Sequence, residues 1–220
     1  MITMSQEHPI AVLAGTPIDT RMGAAVLAKA GLAACPFPLA KDPRQQTAFQ
    51  ISPAAEKRAR VLQVLEAAKA QGCRRVFVYC NSLSSTVSFD PLAEQTGMRI
   101  VTPLEVYHSL PERYHRLGLI AANAQGLAGI ERTLYAVDPE LELLGACLLP
   151  AVFSIEEGVA PERLVDMHRL DQLAGWFEDS GMEALLLGCT HFPYFKEALA
   201  ARTRLPLIDP AEEMVRRIQA

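Results

Sequence analysis

Residues 53–82 decide the fold class, and they read PAAEKRARVLQVLEAAKAQGCRRVFVYCNS. The part at 53–71 is rich in Ala, Glu, Lys, Arg and Leu and is followed by Gly72, which predicts a helix that ends at the glycine. The apolar run at 76–79 predicts a short buried strand. This stretch therefore predicts a helix, a turn and a strand in succession, with Cys80 directly after the strand.

The same alternation extends along the whole chain. Further strands are predicted at 10–14, 99–102, 117–122, 141–149, 184–187 and 205–208. Further helices are predicted at 22–30, 86–97, 104–110, 126–137, 163–179, 193–203 and from 211 onward. Strands that alternate with helices predict an α/β fold with mainly parallel sheets. We expect two lobes, residues 1–97 and 98–205, with the last helix, within 206–220, returning to the first lobe.

The composition excludes several classes of protein. The formal net charge is −4 and the Lys and Arg residues are scattered, whereas nucleic-acid binders carry a basic patch, so no nucleic-acid partner is expected. No apolar run approaches the roughly 20 residues that cross a bilayer. Residues 1–9 lack the basic and apolar regions of a signal peptide. We therefore expect a cytoplasmic protein that acts on a small molecule, with no membrane partner.

The five cysteines are Cys35, Cys73, Cys80, Cys147 and Cys189. Their number is odd and no pair has the CxxC spacing, so neither a disulfide framework nor a metal site is expected. We interpret Cys35, Cys73 and Cys147 as structural, because a free cysteine usually behaves as a small buried hydrophobe.

Cys80 and Cys189 have a different setting, because each follows a predicted buried strand and precedes small polar residues. Cys80 stands in VFVYCNS at 76–82, and Cys189 stands in LLLGCTH at 185–191. Ligands of parallel sheets bind outside the carboxyl ends of the strands, so both thiols are predicted to face a crevice. The amino terminus of the next helix favours a carboxylate ligand and also a thiolate.

A pair of such thiols suits the inversion of an amino acid at Cα. The reaction removes a proton from one face of the carbon and delivers another to the opposite face. One thiolate and one thiol on opposite sides of the substrate can do this without a cofactor, since a thiol titrates close enough to neutral pH for acid–base work. Position alone leaves the alternative open that both cysteines are ordinary buried side chains.

Four segments resemble those of glutamate racemases, which belong to the aspartate/glutamate racemase superfamily. LGCTHFP at 187–193 resembles the family's Leu-Gly-Cys-Thr-His-Tyr-Pro, and CNS at 80–82 resembles its Cys-Asn-Thr. SIEEG at 154–158 is similar to the acidic segment between its second-lobe strands, and DPAE at 209–212 to the stretch before its last helix. The order and approximate spacing of these segments agree over most of the chain.

The resemblance implies two pseudo-symmetric α/β lobes, each a mainly parallel sheet flanked by helices, with the active site in the cleft between them. It implies a cofactor-independent racemase acting on glutamate or aspartate, in a family that often forms homodimers. Cys80 and Cys189 would be the paired acid/base residues, with His191 assisting Cys189 and Glu156 in the same neighbourhood.

The resemblance also implies which residues hold the amino and carboxylate groups of the substrate. These residues would be Asn81, Ser82 and Thr190. A threonine-rich loop that would bind a substrate carboxylate is replaced by ANAQG at 122–126, where Asn123 or Gln125 offers an amide instead. The family's Pro-Tyr-Gly turn has no clear counterpart in 36–47. The identity of the substrate is therefore open.

The family's amino-terminal Asp-Ser-Gly motif, whose aspartate supports the first cysteine, can be aligned in two ways. Alignment on the strand puts Ala14 at the position of the aspartate. Alignment on the helix start puts Asp19 and Thr20 in place of Asp-Ser, with about five extra residues before them. We favour the second alignment, because it preserves a carboxylate, a hydroxyl and a glycine.

Three hypotheses about function follow. The first is a racemase of an acidic amino acid. The second is a related isomerase or lyase that acts on a different carbon acid, such as a dicarboxylate, since the threonine loop is missing. The third is a ligand-binding relative that has lost turnover.

Overall fold

The computed structural model describes residues 8–220, which form two parallel four-stranded sheets flanked by helices. This architecture confirms the predicted α/β fold class. Residues 1–7, which make up most of the segment predicted not to be a signal peptide, lie outside the described residues. None of the helices within residues 8–220 is long and apolar enough to cross a bilayer.

The first sheet has the strand order β2-β1-β3-β4. Its strands are β1 (Ile10–Ala14), β2 (Ala34–Pro38), β3 (Arg75–Val78) and β4 (Arg99–Val101), and all neighbours are parallel. The central strands β1 and β3 are almost entirely buried, which is why they read as continuous apolar runs. Because parallel neighbours end at the same edge of a sheet, the residues that follow β1 and β3 emerge side by side.

The second sheet repeats this topology with the order β6-β5-β7-β8. Its strands are β5 (Arg116–Ala121), β6 (Glu142–Cys147), β7 (Ala184–Gly188) and β8 (Leu207–Ile208), again with parallel neighbours. The central strands β5 and β7 are buried, and the residues after them again leave the sheet at one edge.

Helices connect the strands of each sheet. They are α1 (Pro17–Lys29), α2 (Pro43–Ile51), α3 (Ala54–Ala70), α4 (Asn81–Thr86), α5 (Asp90–Thr96), α6 (Pro103–Tyr107), α7 (Ala124–Tyr135), α8 (Leu149–Glu156), α9 (Pro161–Met167), α10 (Leu170–Asp179), α11 (Lys196–Ala200) and α12 (Ala211–Gln219). A 3-10 helix, Phe192–Phe195, directly precedes α11. Side chains cap several of these helices, as Thr16 does for α1, and such caps satisfy backbone N–H groups at a helix start.

The structure differs from the sequence prediction at the edges of elements and at four short elements, which are β2, α2, α4 and α8. Strand β2 and helix α2 were not predicted, because β2 is a half-exposed edge strand that contains two prolines. Helix α8 was not predicted either, and only its first residue, Leu149, fell within the strand predicted at 141–149. The helix predicted at 163–179 is two helices, which are separated at Arg169 by a left-handed backbone conformation (φ 51°).

The described residues form two compact units. Unit 1 holds the residues up to Tyr79, together with Val87–Thr102 and Glu212–Ala220, and it contains the first sheet. Unit 2 holds Cys80–Thr86 and Pro103–Ala211, and it contains the second sheet. Helix α4 therefore belongs to unit 2, although the strand before it, β3, belongs to unit 1.

The apolar core of unit 2 fixes the end of β7. Leu185 and Leu187 of that strand lie in a buried cluster with Phe177 of α10 and with Phe192 and Phe195 of the 3-10 helix. Burial of such large apolar side chains contributes about 1.5–3 kcal/mol each. The turn between β7 and the 3-10 helix is thus held on both sides by the core.

Candidate active site

Cys80 lies in a tight turn between β3 and α4 and is buried. Its Sγ lies 3.5 Å from the Oγ of Ser82, and either atom could be the donor. Its backbone carbonyl accepts from the N–H of Ser84 at 3.1 Å and from the Ser84 hydroxyl at 2.9 Å. The backbone of the turn is therefore fixed by α4, and the thiol has a hydroxyl neighbour two residues on.

The other hydroxyl groups of α4 bond to backbone carbonyl groups. Ser85 donates to the carbonyl of Asn81 at 2.8 Å, and Thr86 donates to the carbonyl of Ser82 at 3.0 Å. Such back-bonding satisfies the hydroxyl locally. Ser82 is consequently the hydroxyl of this helix that lies against the cysteine.

Cys189 directly follows β7, and its turn brings two further predicted residues together. Its Sγ lies 3.8 Å from Nδ1 of His191, and Nε2 of His191 lies 3.0 Å from Oε1 of Glu156 at the end of α8. The thiol, the imidazole and most of the carboxylate are buried. A carboxylate on one ring nitrogen orients the imidazole and stabilises its protonated form, and an imidazole beside a thiol promotes the thiolate.

The residue before Cys189 is Gly188, because the turn leaves no room for a side chain at this position. A Cβ built on Gly188 would lie 2.6 Å from Cδ1 of Leu119 and 2.7 Å from Cδ1 of Ile130. Both side chains are fully buried, so neither can move away cheaply. The glycine therefore allows β7 to pack closely where Cys189 leaves the sheet.

Asn81 and Tyr107 form a buried hydrogen bond beside the Cys80 turn. The hydroxyl of Tyr107, the last residue of α6, donates to Oδ1 of Asn81 at 2.5 Å. Among the described residues nothing bonds to the buried Nδ2 of Asn81. Burial, and then the electrostatic effects of Asp209 and Cys189, raise the pKa of Tyr107 well above its usual value, so the phenol stays protonated.

The sequence analysis did not identify Tyr107. Its partner is 26 residues away along the chain, and a single tyrosine at the end of a short apolar helix reads as a core residue. The available signal was weak: a buried tyrosine usually finds a partner for its hydroxyl.

Asn123 caps helix α7, which begins where β5 ends. Its Oδ1 accepts from the N–H of Gly126 at 3.1 Å. Helix α7 packs closely on α4, since a Cβ on Gly126 would lie 3.4 Å from Cβ of Ser82 and one on Gly129 would lie 2.0 Å from Cβ of Ser85. Asn123, which is partly exposed, therefore organises the start of α7 in unit 2. Thr190 is buried and directly follows Cys189 in the same unit.

Asp19 and Thr20 lie in unit 1, in the first turns of α1, and both are buried. Oδ2 of Asp19 accepts from the N–H of Gly15 at 3.3 Å, and the Asp19 N–H donates to the Thr16 hydroxyl. The hydroxyl of Thr20 donates to the carbonyl of Thr16 at 2.6 Å. A carboxylate at this end of a helix is stabilised by the helix dipole.

Two of the remaining cysteines, Cys73 and Cys147, have surroundings that favour the thiol over the thiolate. Burial, and then contact with Cys35, raise the pKa of Cys73 to about 11. Partial loss of solvation also raises the pKa of Cys147, although its side chain is exposed overall. Within residues 8–220, no group of three or more His, Cys, Asp or Glu side chains could hold a metal ion.

Comparison with known proteins gives the family. Residues 45–218 match the family described as Asp/Glu/Hydantoin racemase. The chain belongs to this family. The membership confirms the predicted superfamily.

Individual relatives agree with this assignment. A glutamate racemase of Beutenbergia cavernae is 26% identical over 178 residues, which are 76% of this chain and 60% of that protein. One of Thermus thermophilus is 31% identical over 152 residues, which are 67% of this chain and 55% of that protein. The aligned part thus spans about three fifths of the length of these curated relatives.

A solved structure shows the same fold. The glutamate racemase of Francisella tularensis, in complex with D-glutamate, superposes with a TM-score of 0.75 at 22% identity. The match covers 96% of this chain and 80% of that chain.

Proposed function

We propose that this chain is a cofactor-independent racemase that inverts the Cα of glutamate or aspartate. The observation that carries the proposal is the buried series Cys189–His191–Glu156, with 3.8 Å from sulfur to imidazole and 3.0 Å from imidazole to carboxylate. A buried carboxylate, an imidazole and a thiol in this order suit proton transfer better than a structural role. Burying polar groups costs free energy unless all of them are hydrogen-bonded, so apolar side chains would serve a purely structural role at lower cost.

In the proposed mechanism Cys80 and Cys189 act on opposite faces of the substrate. One cysteine, as thiolate, takes the proton from Cα, and the electron pair of that C–H bond stays on carbon. The other cysteine, as thiol, delivers its proton to the opposite face and becomes the thiolate. The protein regains its resting state when the two thiols exchange roles, so no other reactant is consumed.

The turns that hold the two cysteines are proposed to supply the groups that bind substrate. Asn81, Ser82 and Thr190 are proposed to hold the amino and carboxylate groups of the substrate. Their amide and hydroxyl groups follow the two cysteines directly along the chain. The buried Nδ2 of Asn81, which lacks a partner among the described residues, supports this assignment. Buried donors of this kind are rare in native structures and call for an acceptor.

Asp19, Thr20 and Asn123 stay predicted members of the site. The side chains of Thr20 and Asn123 each make a hydrogen bond that stabilises their own helix. Asp19 is proposed to support catalysis as a carboxylate, and Asp19→Asn tests this: a fall in turnover with unchanged stability supports it, whereas unchanged turnover contradicts it. Assembly into a homodimer also stays a prediction, which sedimentation measures.

The substrate is tested by incubation with single enantiomers. L- and D-glutamate and L- and D-aspartate should each be converted to the mirror image by the unsubstituted protein, as followed by chiral chromatography. The exposed Cys147 gives the control variant, Cys147→Ser, which should retain full activity. Failure to convert any of the four would contradict an acidic amino acid as the substrate.

The loop between β5 and α7 supports a second candidate, an isomerase or lyase that acts on another carbon acid. Ala122 and Ala124 have no hydroxyl group, so the side-chain donors that the loop offers are the amide groups of Asn123 and Gln125. The loop therefore offers a substrate carboxylate fewer side-chain donors than a threonine-rich loop does. Deuterium incorporation into dicarboxylates or hydantoins, with none into glutamate or aspartate, would favour this candidate.

A further inference from the structure

Tyr107 lies beside the Cys80 turn in unit 2. Its ring is fully buried, and its hydroxyl donates to Asn81, the residue directly after Cys80. Helix α6, which ends at Tyr107, packs against both α4 and α7. The phenol is thus carried by a helix that packs on two others and is fixed by its hydrogen bond to α4.

The hydrogen bond fixes the orientation of the Asn81 amide. A phenol has one proton to donate, and here it goes to Oδ1 of Asn81 at 2.5 Å. Oδ1 and Nδ2 lie on opposite sides of the amide, so the bond to Oδ1 decides where Nδ2 points. Without the phenol the amide could turn over and present its oxygen in the same direction.

The group whose direction is fixed is the one that lacks a partner. Nδ2 of Asn81 is buried and has no hydrogen-bond partner among the described residues. An amide nitrogen is a donor only, so it suits a carboxylate oxygen and would repel an ammonium group. An inverted amide would present an acceptor to the same carboxylate and oppose binding.

We propose that Tyr107 is a positioning residue whose hydroxyl fixes the Asn81 side chain so that Nδ2 donates to the carboxylate of the substrate. The proposal rests on the proposed function for the identity of the ligand, and it goes beyond that function in naming a residue outside the cysteine motifs. Tyr107 acts through Asn81 and does not touch the reacting carbon. Its effect is therefore on binding more than on the chemical step.

Tyr107→Phe tests the proposal, because it removes the hydroxyl and keeps the ring that fills the core. We expect KM for the racemised amino acid to rise about tenfold, as the loss of one oriented hydrogen bond would give, while kcat changes less than threefold. Tyr135→Phe, at a half-exposed position of α7, is the matched control and should leave both constants unchanged.

A double-mutant cycle separates positioning from packing. In the Asn81→Ala background, Tyr107→Phe should raise KM by less than twofold, because the group it positions is already gone. An equal rise in KM in both backgrounds would overturn the proposal, and so would an unchanged KM in the single variant. Thermal unfolding of each variant shows whether a loss of folded protein accounts for the change.

A spectroscopic measurement keeps the proposal separate from the proposed function. In the ligand-free protein, the side-chain amide resonances of Asn81 should move in Tyr107→Phe and stay in place in Tyr135→Phe. If no amino acid is turned over but these resonances move as expected, the racemase fails and the positioning of Asn81 stands. If they do not move, the positioning role is wrong whether or not the protein is a racemase.

Discussion

The two cysteine turns have the same place in their strands but different neighbours. Cys189 lies against an imidazole that is itself bonded to a carboxylate, His191 and Glu156. Cys80 lies against the hydroxyl of Ser82, and the residue directly after Cys80 is Asn81, which carries an amide. An imidazole with a carboxylate behind it can accept and return a proton, whereas a serine hydroxyl can only donate or accept a hydrogen bond near neutral pH.

The residue before each cysteine differs as sharply. Tyr79 precedes Cys80 and stacks on Phe77 with 5.7 Å between ring centroids, whereas Gly188 precedes Cys189 and leaves no room for a side chain. The comparison teaches that equal topology does not require equal chemistry. We expect the Cys189 turn to depend on proton relay and close packing, and the Cys80 turn to depend on hydrogen bonds to the substrate.

The largest loss of activity is expected from His191→Asn, which tests the difference between the two turns. Loss of the imidazole should lower kcat/KM by about 10²-fold or more, the range of general acid–base catalysis. Enantiomers have equal free energies, so the loss must be equal in the two directions of racemisation. His168→Asn, in the same unit, is the control, since its imidazole bonds to Ser154. Activity within a few-fold of the unsubstituted protein would remove His191 from the mechanism.

The next effect is expected from Glu156→Gln, which keeps the shape and removes the charge behind His191. A hydrogen bond to a charged group contributes about 1.5–3 kcal/mol, so kcat should fall by about ten- to a hundredfold. The exposed neighbour Glu157 gives the control variant, Glu157→Gln. Equal kcat in the two variants would show that the carboxylate does not act through the imidazole.

The close packing of the Cys189 turn is tested by Gly188→Ala. The added methyl group would overlap Leu119 and Ile130, so the free energy of unfolding should fall by about 1–3 kcal/mol. Gly175 of α10 has nothing within 4 Å of the corresponding position, and Gly175→Ala should raise stability slightly. Urea unfolding measures both. A Gly188→Ala protein as stable as the parent would contradict the packing argument.

A smaller effect is expected at the Cys80 turn from Ser82→Ala. The loss of one hydrogen bond amounts to about 0.5–1.5 kcal/mol, so kcat/KM should fall about two- to tenfold. Ser84→Ala is the matched control, because its hydroxyl bonds to a backbone carbonyl. A loss as large as that of His191→Asn would mean that the two turns are chemically equivalent after all.

The smallest effect is expected in the free energy of unfolding at alkaline pH. Burial, and then Asp209 and Cys189, hold the pKa of Tyr107 well above its unfolded value of about 10. Below pH 10 the phenol is protonated in both the folded and the unfolded protein. Above pH 10 only the unfolded protein loses the proton, so the free energy of unfolding falls by up to about 1 kcal/mol per pH unit. Tyr107→Phe should remove this part of the alkaline loss in urea unfolding between pH 10 and 11. An identical pH dependence in both proteins would contradict the buried, protonated phenol.

Much of the fold followed from the sequence because the central strands are short apolar runs that end at turn residues. β1, β3, β5 and β7 were all predicted, and so were the cysteines that follow β3 and β7. Edge strand β2 could not be predicted, since a half-exposed ACPFP lacks alternation and contains proline. The break at Arg169 could not be predicted either, because a left-handed arginine leaves no compositional trace.

The candidate site could be predicted only in part. His191 and Glu156 lie 35 residues apart, and only the family resemblance predicted that they share a neighbourhood, because periodicity does not report contacts between distant segments. The contact of Tyr107 with Asn81 could not be predicted, since Tyr107 stands in none of the segments that resemble the family. Residues within a recognisable motif are visible in the sequence, while a residue outside every motif that supports them from another helix is not.

The central claim, that Cys80 and Cys189 form a two-base pair, is tested most directly by exchange at Cα. A single enantiomer of glutamate or aspartate is incubated in deuterated water with the unsubstituted protein, Cys80→Ala, Cys189→Ala and the control Cys147→Ser, and loss of the Cα proton signal is followed by NMR. The account predicts exchange together with racemisation in the parent and in Cys147→Ser, and no racemisation in either alanine variant. Full racemisation by Cys80→Ala or by Cys189→Ala would contradict it.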